Sequence, residues 1–285
     1  MKKWMFTLLC FSFLNFAFAQ KKDAYTIYNN KGQKVSYSKM LKASSKAKVI
    51  LFGEFHDNAI SHWLQLELSK DLSAKKSITF GAEMFETDNQ QQVTDYVTGK
   101  IDAETLDSTA RLWKNFKTDY QPLLDAAKEN KFEFIATNVP RQYAKMVYLE
   151  GFDTLTTLSI EEKNWIAPLP IKYDATLPQY RKMLEMMGGH GGENLPKAQA
   201  LKDATMAYNI YKNISKSDIF LHFNGSYHSN YYEGIYWYLK QKADDLKITT
   251  ITTVSQSYIY KLLEENKGAA DFIIVVDEDM TPTYK

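Results

Sequence analysis

The sequence predicts an α/β protein: a mainly parallel sheet flanked by helices, with an inserted helical subdomain. Three observations carry this reading. Short apolar runs of strand length alternate with longer stretches of helical periodicity, the order a parallel sheet requires. Polar, chemistry-bearing residues come directly after the apolar runs. One long central stretch contains no β-like run at all.

Residues 1–19 read as a secretory signal peptide. Lys2 and Lys3 form the basic start, Trp4 to Phe16 the apolar core, and Ala17-Phe18-Ala19 the small-x-small cleavage pattern. The expected location is outside the cytoplasm, periplasmic or at the cell envelope. Cys10 is the single cysteine and raises a lipid anchor as an alternative, although Leu8 and Leu9 are bulky for a lipoprotein signal. Cleavage after Ala19 removes that thiol, and disulfide, thiolate and zinc–thiolate chemistry go with it. No later run reaches the ~18 apolar residues of a membrane span.

Residues 20–285 read as a single domain. The strand-like runs are 49–52, 77–80, 132–136, 219–223, 248–254 and 271–276. Between the first two, Ile60, Trp63, Leu64, Leu66, Leu68 and Leu72 predict an amphipathic helix with Asp57 or Asn58 as its N-cap. Residues 88–129 read as helix broken at Gly99 and near Pro122. The stretch 141–215 is the predicted helical insertion, with helices over 181–187 and 198–214 joined by Gly188-Gly189-His190-Gly191-Gly192. Glycine on both sides of His190 fits either a mobile ligand-closing loop or a plain linker.

Charge narrows the partners. The chain carries 35 Lys and Arg against 34 Asp and Glu, and loss of Lys2 and Lys3 turns the net charge from +1 to −1. No electrostatic case exists for nucleic acid or an anionic membrane surface. The 19 Tyr and 16 Phe fit a packed core with surface tyrosines, or a surface for a flat apolar ligand.

The residues just beyond each run are more informative. Glu54 and His56 come after the first, Glu83 after the second, Asn138 and Arg141 after the third, and Asn224, Gly225 and His228 after the fourth. Ligands bind outside the carboxyl ends of parallel strands, so these residues are expected at one edge. Glu54, His56, Glu83 and His228 form a candidate catalytic set for acid–base hydrolysis. Glu54, His56 and His228 could instead hold a divalent metal that acidifies water. Arg141 either caps a carboxylate or grips an anion. His62 reads as an exposed helix residue and His222 as a satisfied core histidine. No HExxH, GxSxG, phosphate loop or cysteine nucleophile supports a more specific assignment.

Haem is the other ligand this set fits. Its iron accepts tyrosine or histidine and its propionates need basic groups. His56, Arg141, His190, Tyr227, His228 and Tyr231 are the candidate haem-binding residues, the last three lying in the run from Gly225 to Tyr238.

Gly53-Glu54-Phe55-His56-Asp57, Glu83-Met84-Phe85-Glu86 with Gln90-Gln91, Asn138-Val139-Pro140-Arg141 and Gly225-Ser226-Tyr227-His228 occur in that order. Gln199 to Asp203 and Met206-Ala207 lie between the last two. Together they resemble the ChaN-like haem-binding uptake proteins, in the Tiki and erythromycin esterase-like superfamily. The resemblance implies an α/β core with a helical insertion, export or lipid anchoring, and a role in haem and iron uptake. It also implies a homodimer around cofacial haems, a tyrosine ligand to iron, and basic or histidine side chains on the propionates. Enzyme relatives imply catalytic or metal-binding roles for Glu54, His56, Glu83 and His228. The leading expectation is therefore an exported haem-binding protein, and the alternative is a metal-dependent or acid–base hydrolase.

Overall fold

Runs such as Val49-Ile50-Leu51-Phe52 have no polar face, so they fit only central strands covered on both sides. The computed structural model, which describes residues 22–186 and 192–284, places them so. The leader, Cys10 and His190 lie outside the described residues.

The strands are β1 (Tyr25–Asn29), β2 (Lys34–Val35), β3 (Val49–Glu54), β4 (Ile78–Glu86), β5 (Phe134–Asn138), β6 (Ile219–Gly225), β7 (Ile248–Gln256) and β8 (Phe272–Asp277). They form one sheet in the order β2-β1-β8-β7-β3-β6-β4-β5. From β8 to β5 every pairing is parallel, and β1 and β2 add an antiparallel edge. The mainly parallel α/β architecture read from the sequence is the one observed. β1 and β2 escape a sequence reading because they are short and mix polar with apolar residues.

The helices in chain order are α1 (Tyr37–Ser44), α2 (Ala59–Ser73), α3 (Gln90–Val97), α4 (Ala103–Thr109) and α5 (Gln121–Asn130). They continue with α6 (Arg141–Glu150), α7 (Ile160–Lys163), α8 (Pro178–Met186), α9 (Leu195–Asn213) and α10 (Ile235–Lys242). Asn58, not Asp57, caps α2, its side chain accepting from the Ser61 N–H at 2.9 Å. The break at Gly99 is real, with φ +78° just past α3. Pro122 sits in the first turn of α5, after a π-helical turn over Phe116–Tyr120. None of the described helices is long and apolar enough to cross a membrane.

Successive β3 side chains point to opposite faces. Ile50 and Phe52 join Phe80, Phe223 and the α2 leucines Leu64, Leu68 and Leu72. Val49 and Leu51 join Phe220, Met206 and Ile210 of α9, and Leu239 of α10. Between β5 and β6 the described residues contain no strand. α9 is the part of this connection that packs on the sheet. α6 and residues 152–166 build a smaller core against it through Tyr143, Val147, Leu155 and Leu201.

Candidate functional site

β3, β6, β4 and β5 are consecutive parallel neighbours, so their carboxyl ends share one edge. Glu54 ends β3 and His56 lies two residues on, while His228 lies on a short turn after β6. Glu83 is inside β4, not beyond it, because β4 continues through buried Met84 and Phe85 to Glu86.

Glu54 is 1% exposed and surrounded by donors. His56 Nδ1–H donates to its Oε1 at 2.9 Å and the Tyr120 hydroxyl donates to the same oxygen at 2.8 Å. The Gln65 amide donates to Oε2, with His62 Nδ1 at 3.5 Å. A carboxylate can be buried only when its lone pairs are met in this way. His62 is a correction to the sequence reading: it is 7% exposed, not a surface residue. It sits three residues before Gln65 on the inner face of α2, and its Nε2 holds the His56 carbonyl at 3.1 Å. The Asn115 amide holds that carbonyl too, at 2.8 Å.

A second network lies beside the first. His228 is buried between two carboxylates, with Nδ1 2.5 Å from Asp203 Oδ1 and Nε2 3.1 Å from Glu83 Oε1. Burial opposes charge on the ring, but Glu83 and Asp203 outweigh it and push the His228 pKa up to about 9. Glu83 is held well below the usual carboxylate range: burial raises it, and His228, His56 and the Gly225 N–H together outweigh that. Asp203 moves the other way, because burial prevails over His228 and the Tyr180 hydroxyl, which donates at 2.9 Å. An imidazolium with both N–H groups committed to carboxylates has no lone pair for water or a metal. His228 as it stands is therefore an anchor, not a base.

Gly225 joins the two networks. Its N–H donates to Glu83 Oε2 at 2.7 Å. A Cβ built there would lie 2.8 Å from His56 Cε1 and Nε2 and 3.4 Å from Glu83 Oε2. Only glycine lets the imidazole and the carboxylate approach together. His56 is the open member of the set. Its side chain is 34% exposed and Trp113 meets its ring edge-on with centroids 4.8 Å apart. Its Nε2 has no hydrogen-bond partner among the described residues. Burial lowers the His56 pKa, but the Glu54 hydrogen bond and the Glu83 and Glu54 charges outweigh it, so the net shift is upward.

Glu54, His56, Glu83 and His228 are thus brought together. Arg141, Tyr227 and Tyr231 are not part of these bonds. Arg141 Nε donates to Glu86 Oε1 at 2.7 Å, and Arg111 holds the other oxygen at 2.9 Å. Tyr227 is half-buried, its hydroxyl 3.4 Å from the Gln179 carbonyl. Tyr231 has φ +58° and donates its hydroxyl to the Glu265 carbonyl at 2.8 Å, among Ile259 and Leu262. His222 is the satisfied core histidine expected, with Nε2 2.8 Å from the Thr137 hydroxyl. Burial lowers its pKa to about 4.

Among the described residues no group of three or more His, Cys, Asp or Glu is placed to hold a metal ion. The metal set Glu54, His56 and His228 fails geometrically, since His228 faces Glu83 and Asp203. Asp203, Tyr120 and Gln65 take part in the site without having been singled out by residue type. Gln199 and Asp203 stand four apart on α9, one face of a helix, which is a legible signal. The Gln199 side chain indeed stands beside the His228 ring. Tyr120 has no such signal, because it ends an irregular π turn.

Comparison with known proteins agrees with this architecture. The family described as "Haem-binding uptake, Tiki superfamily, ChaN" matches residues 40–239, a span that holds both carboxylate–histidine networks. The chain is similar to the solved structure described as cofacial heme binding to ChaN of Campylobacter jejuni. The two share 19% identity and a TM-score of 0.67, over 90% of this chain and 98% of that one. It is similar also to a Bacillus cereus protein at 12% identity and a TM-score of 0.51, over 89% of this chain and 95% of that one. No curated protein matches the chain.

Proposed function

We propose, from the premise that this chain belongs to the haem-binding uptake family of the Tiki superfamily that includes ChaN, that its ligand is haem. The observation that carries this is His56: a partly open imidazole with a raised pKa and an unpartnered Nε2, beside the Trp113 indole. A protonated imidazole suits a propionate, and an indole suits the edge of a porphyrin. Arg141 commits only its Nε to Glu86 and is 63% exposed, leaving its outer guanidinium edge for the second anion. Bound haem would supply an iron centre, which a tyrosine hydroxyl of this chain would hold. Tyr227 is the better candidate by position, because it directly precedes His228, whereas Tyr231 lies in a separate apolar cluster.

On the same premise the chain acts outside the cytoplasm in haem or iron uptake, released after Ala19 or anchored through Cys10, and dimerises when loaded. The cofacial heme binding of the Campylobacter jejuni protein supports the haem part of this reading. Hydrolysis is less well supported, because both His228 nitrogens are engaged by carboxylates.

Hemin titration of the mature chain tests the reading, with visible absorbance and size-exclusion chromatography as readouts. A saturable shifted Soret band is expected, with a move to dimer. His56→Gln should weaken binding and Tyr227→Phe should change the spectrum, while Tyr231→Phe leaves both unchanged. Absence of a saturable shift removes haem as the ligand.

A further inference from the structure

A cleft of about 890 Å³ opens along β5 between α3 and the end of α9, and none of its lining residues belongs to the Glu54–His56 or His228 networks. That volume falls in the range of small-molecule pockets, about 300–1,000 Å³. Phe132 and Trp165 are the part-exposed aromatic side chains of its lining, and Lys128, Lys131, Lys212 and Lys216 stand around it. Glu133 is the single acidic residue in the described lining, and Lys216 neutralises it at 2.6 Å. Lys128 lies over the Tyr96 ring at 4.6 Å. Lys131 and Lys212 have no acidic partner among the described residues. The chain as a whole is nearly neutral, so this cationic rim is a local asymmetry.

The β5 edge itself is already covered. Gln90 Nε2 donates to the Phe134 carbonyl at 2.9 Å, and Gln90 Oε1 accepts from the Ala136 N–H at 2.7 Å. On the opposite side of β5, the Glu133 carbonyl accepts from the Phe80 N–H at 2.9 Å, the bond of a true neighbouring strand. The Gln90 carboxamide therefore occupies the places that an added parallel strand would take. An extended peptide would have to displace it. Haem is a poor fit for a different reason: no tyrosine, histidine, methionine or cysteine among the described residues lines the cleft to ligate iron.

We infer that this cleft is a second ligand site, for an anionic amphiphile with a long apolar body and a terminal carboxylate. The apolar body lies on Phe132 and Trp165, and the carboxylate meets Lys131 and Lys212. This site is independent of haem binding, since it uses none of the same residues.

The test is calorimetric titration of the mature chain with monomeric oleate, and with oleyl alcohol as the uncharged counterpart. One oleate per chain is expected. Lys131→Gln/Lys212→Gln should weaken oleate about tenfold, within what two exposed ion pairs supply, and leave oleyl alcohol unchanged. Thr94→Trp, on the α3 wall, should remove both. Both Lys positions are exposed, so the double variant keeps its fold, which far-UV circular dichroism checks. Lack of saturable oleate binding, or binding that the lysine pair does not affect, overturns the inference. So does competition between oleate and hemin, which would place both in one site, or binding of a strand-forming peptide in place of oleate. Loss of hemin binding with oleate binding intact would instead count against the haem reading alone.

Discussion

Asp203 of α9 and His228 of the turn after β6 meet at 2.5 Å although they come from different layers of the fold. Glu83 closes the far side of the same ring at 3.1 Å. Three segments, β4, α9 and the β6 turn, are thus tied by one buried imidazolium. Such a cluster adds little over a well-packed apolar replacement, but losing the imidazolium would leave two buried carboxylates uncompensated.

Asp203→Asn keeps an acceptor for the ring N–H and leaves the Glu83–His228 pair intact, so it should destabilise the protein by about 1–3 kcal/mol, the loss of one charge-assisted hydrogen bond. Urea unfolding monitored by circular dichroism measures this. An effect within the scatter of surface substitutions would show that the contact is not maintained in solution.

The same ring predicts a pH dependence. His228 has a folded pKa raised to about 9 from 6.5, so its contribution is complete below pH 6.5 and lost as pH rises through 9. The limit is roughly 3 kcal/mol from a shift of this size. Glu83 is the opposite case: its depressed pKa gives stability that is present above 4.5 and lost as pH falls. These are two views of one ion pair and do not add. The urea midpoint should fall on the alkaline side in the parent chain and respond less in His228→Gln; equal slopes would refute the assignment.

Gly225→Ala puts a methyl group 2.8 Å from the His56 ring. The ring must move away from Glu54, at about 1–3 kcal/mol of overpacking. Hemin affinity should drop with it. A Gly225→Ala chain that keeps the parent stability and hemin affinity would show that the imidazole has room to spare.

Tyr120→Phe removes one donor from the buried Glu54 carboxylate. The expected loss is about 1–3 kcal/mol, the desolvation of an acceptor left short of a partner. Thermal unfolding at neutral pH reads it, and an unchanged transition would mean that Gln65 and His56 suffice.

Gln90→Ala uncovers the Phe134 carbonyl and the Ala136 N–H on the β5 edge. Self-association through that edge should rise. Sedimentation of the variant across a concentration series checks this, and a monomer at every concentration would contradict it.

Much of this architecture is legible in the sequence. The apolar runs mark the parallel strands, since a strand buried on both faces has no polar residue to blur the pattern. Glu54, His56, Glu83 and His228 are legible as one site because parallel strands end at one edge. Arg141 and Tyr231 belong to the same motifs or lie just beyond them, yet turn toward Glu86 and Glu265. Motif proximity does not decide the direction of a side chain. His62 reads as exposed because α2 is apolar on a broad face, with its polar residues able to face either solvent or a buried carboxylate.

By itself the sequence determined the order of the main strands and helices, a single cysteine at position 10, and the residue types delivered to the sheet edge. Local periodicity and covalent order are enough for that. Only the tertiary structure decided that His228 is clamped between Glu83 and Asp203 while His56 keeps one nitrogen open. That difference depends on α9 lying across the β6 turn, a through-space contact that no spacing along the chain encodes. Burial then sets the charge of each ring, because a carboxylate a few ångströms away in a dry interior outweighs the cost of desolvation.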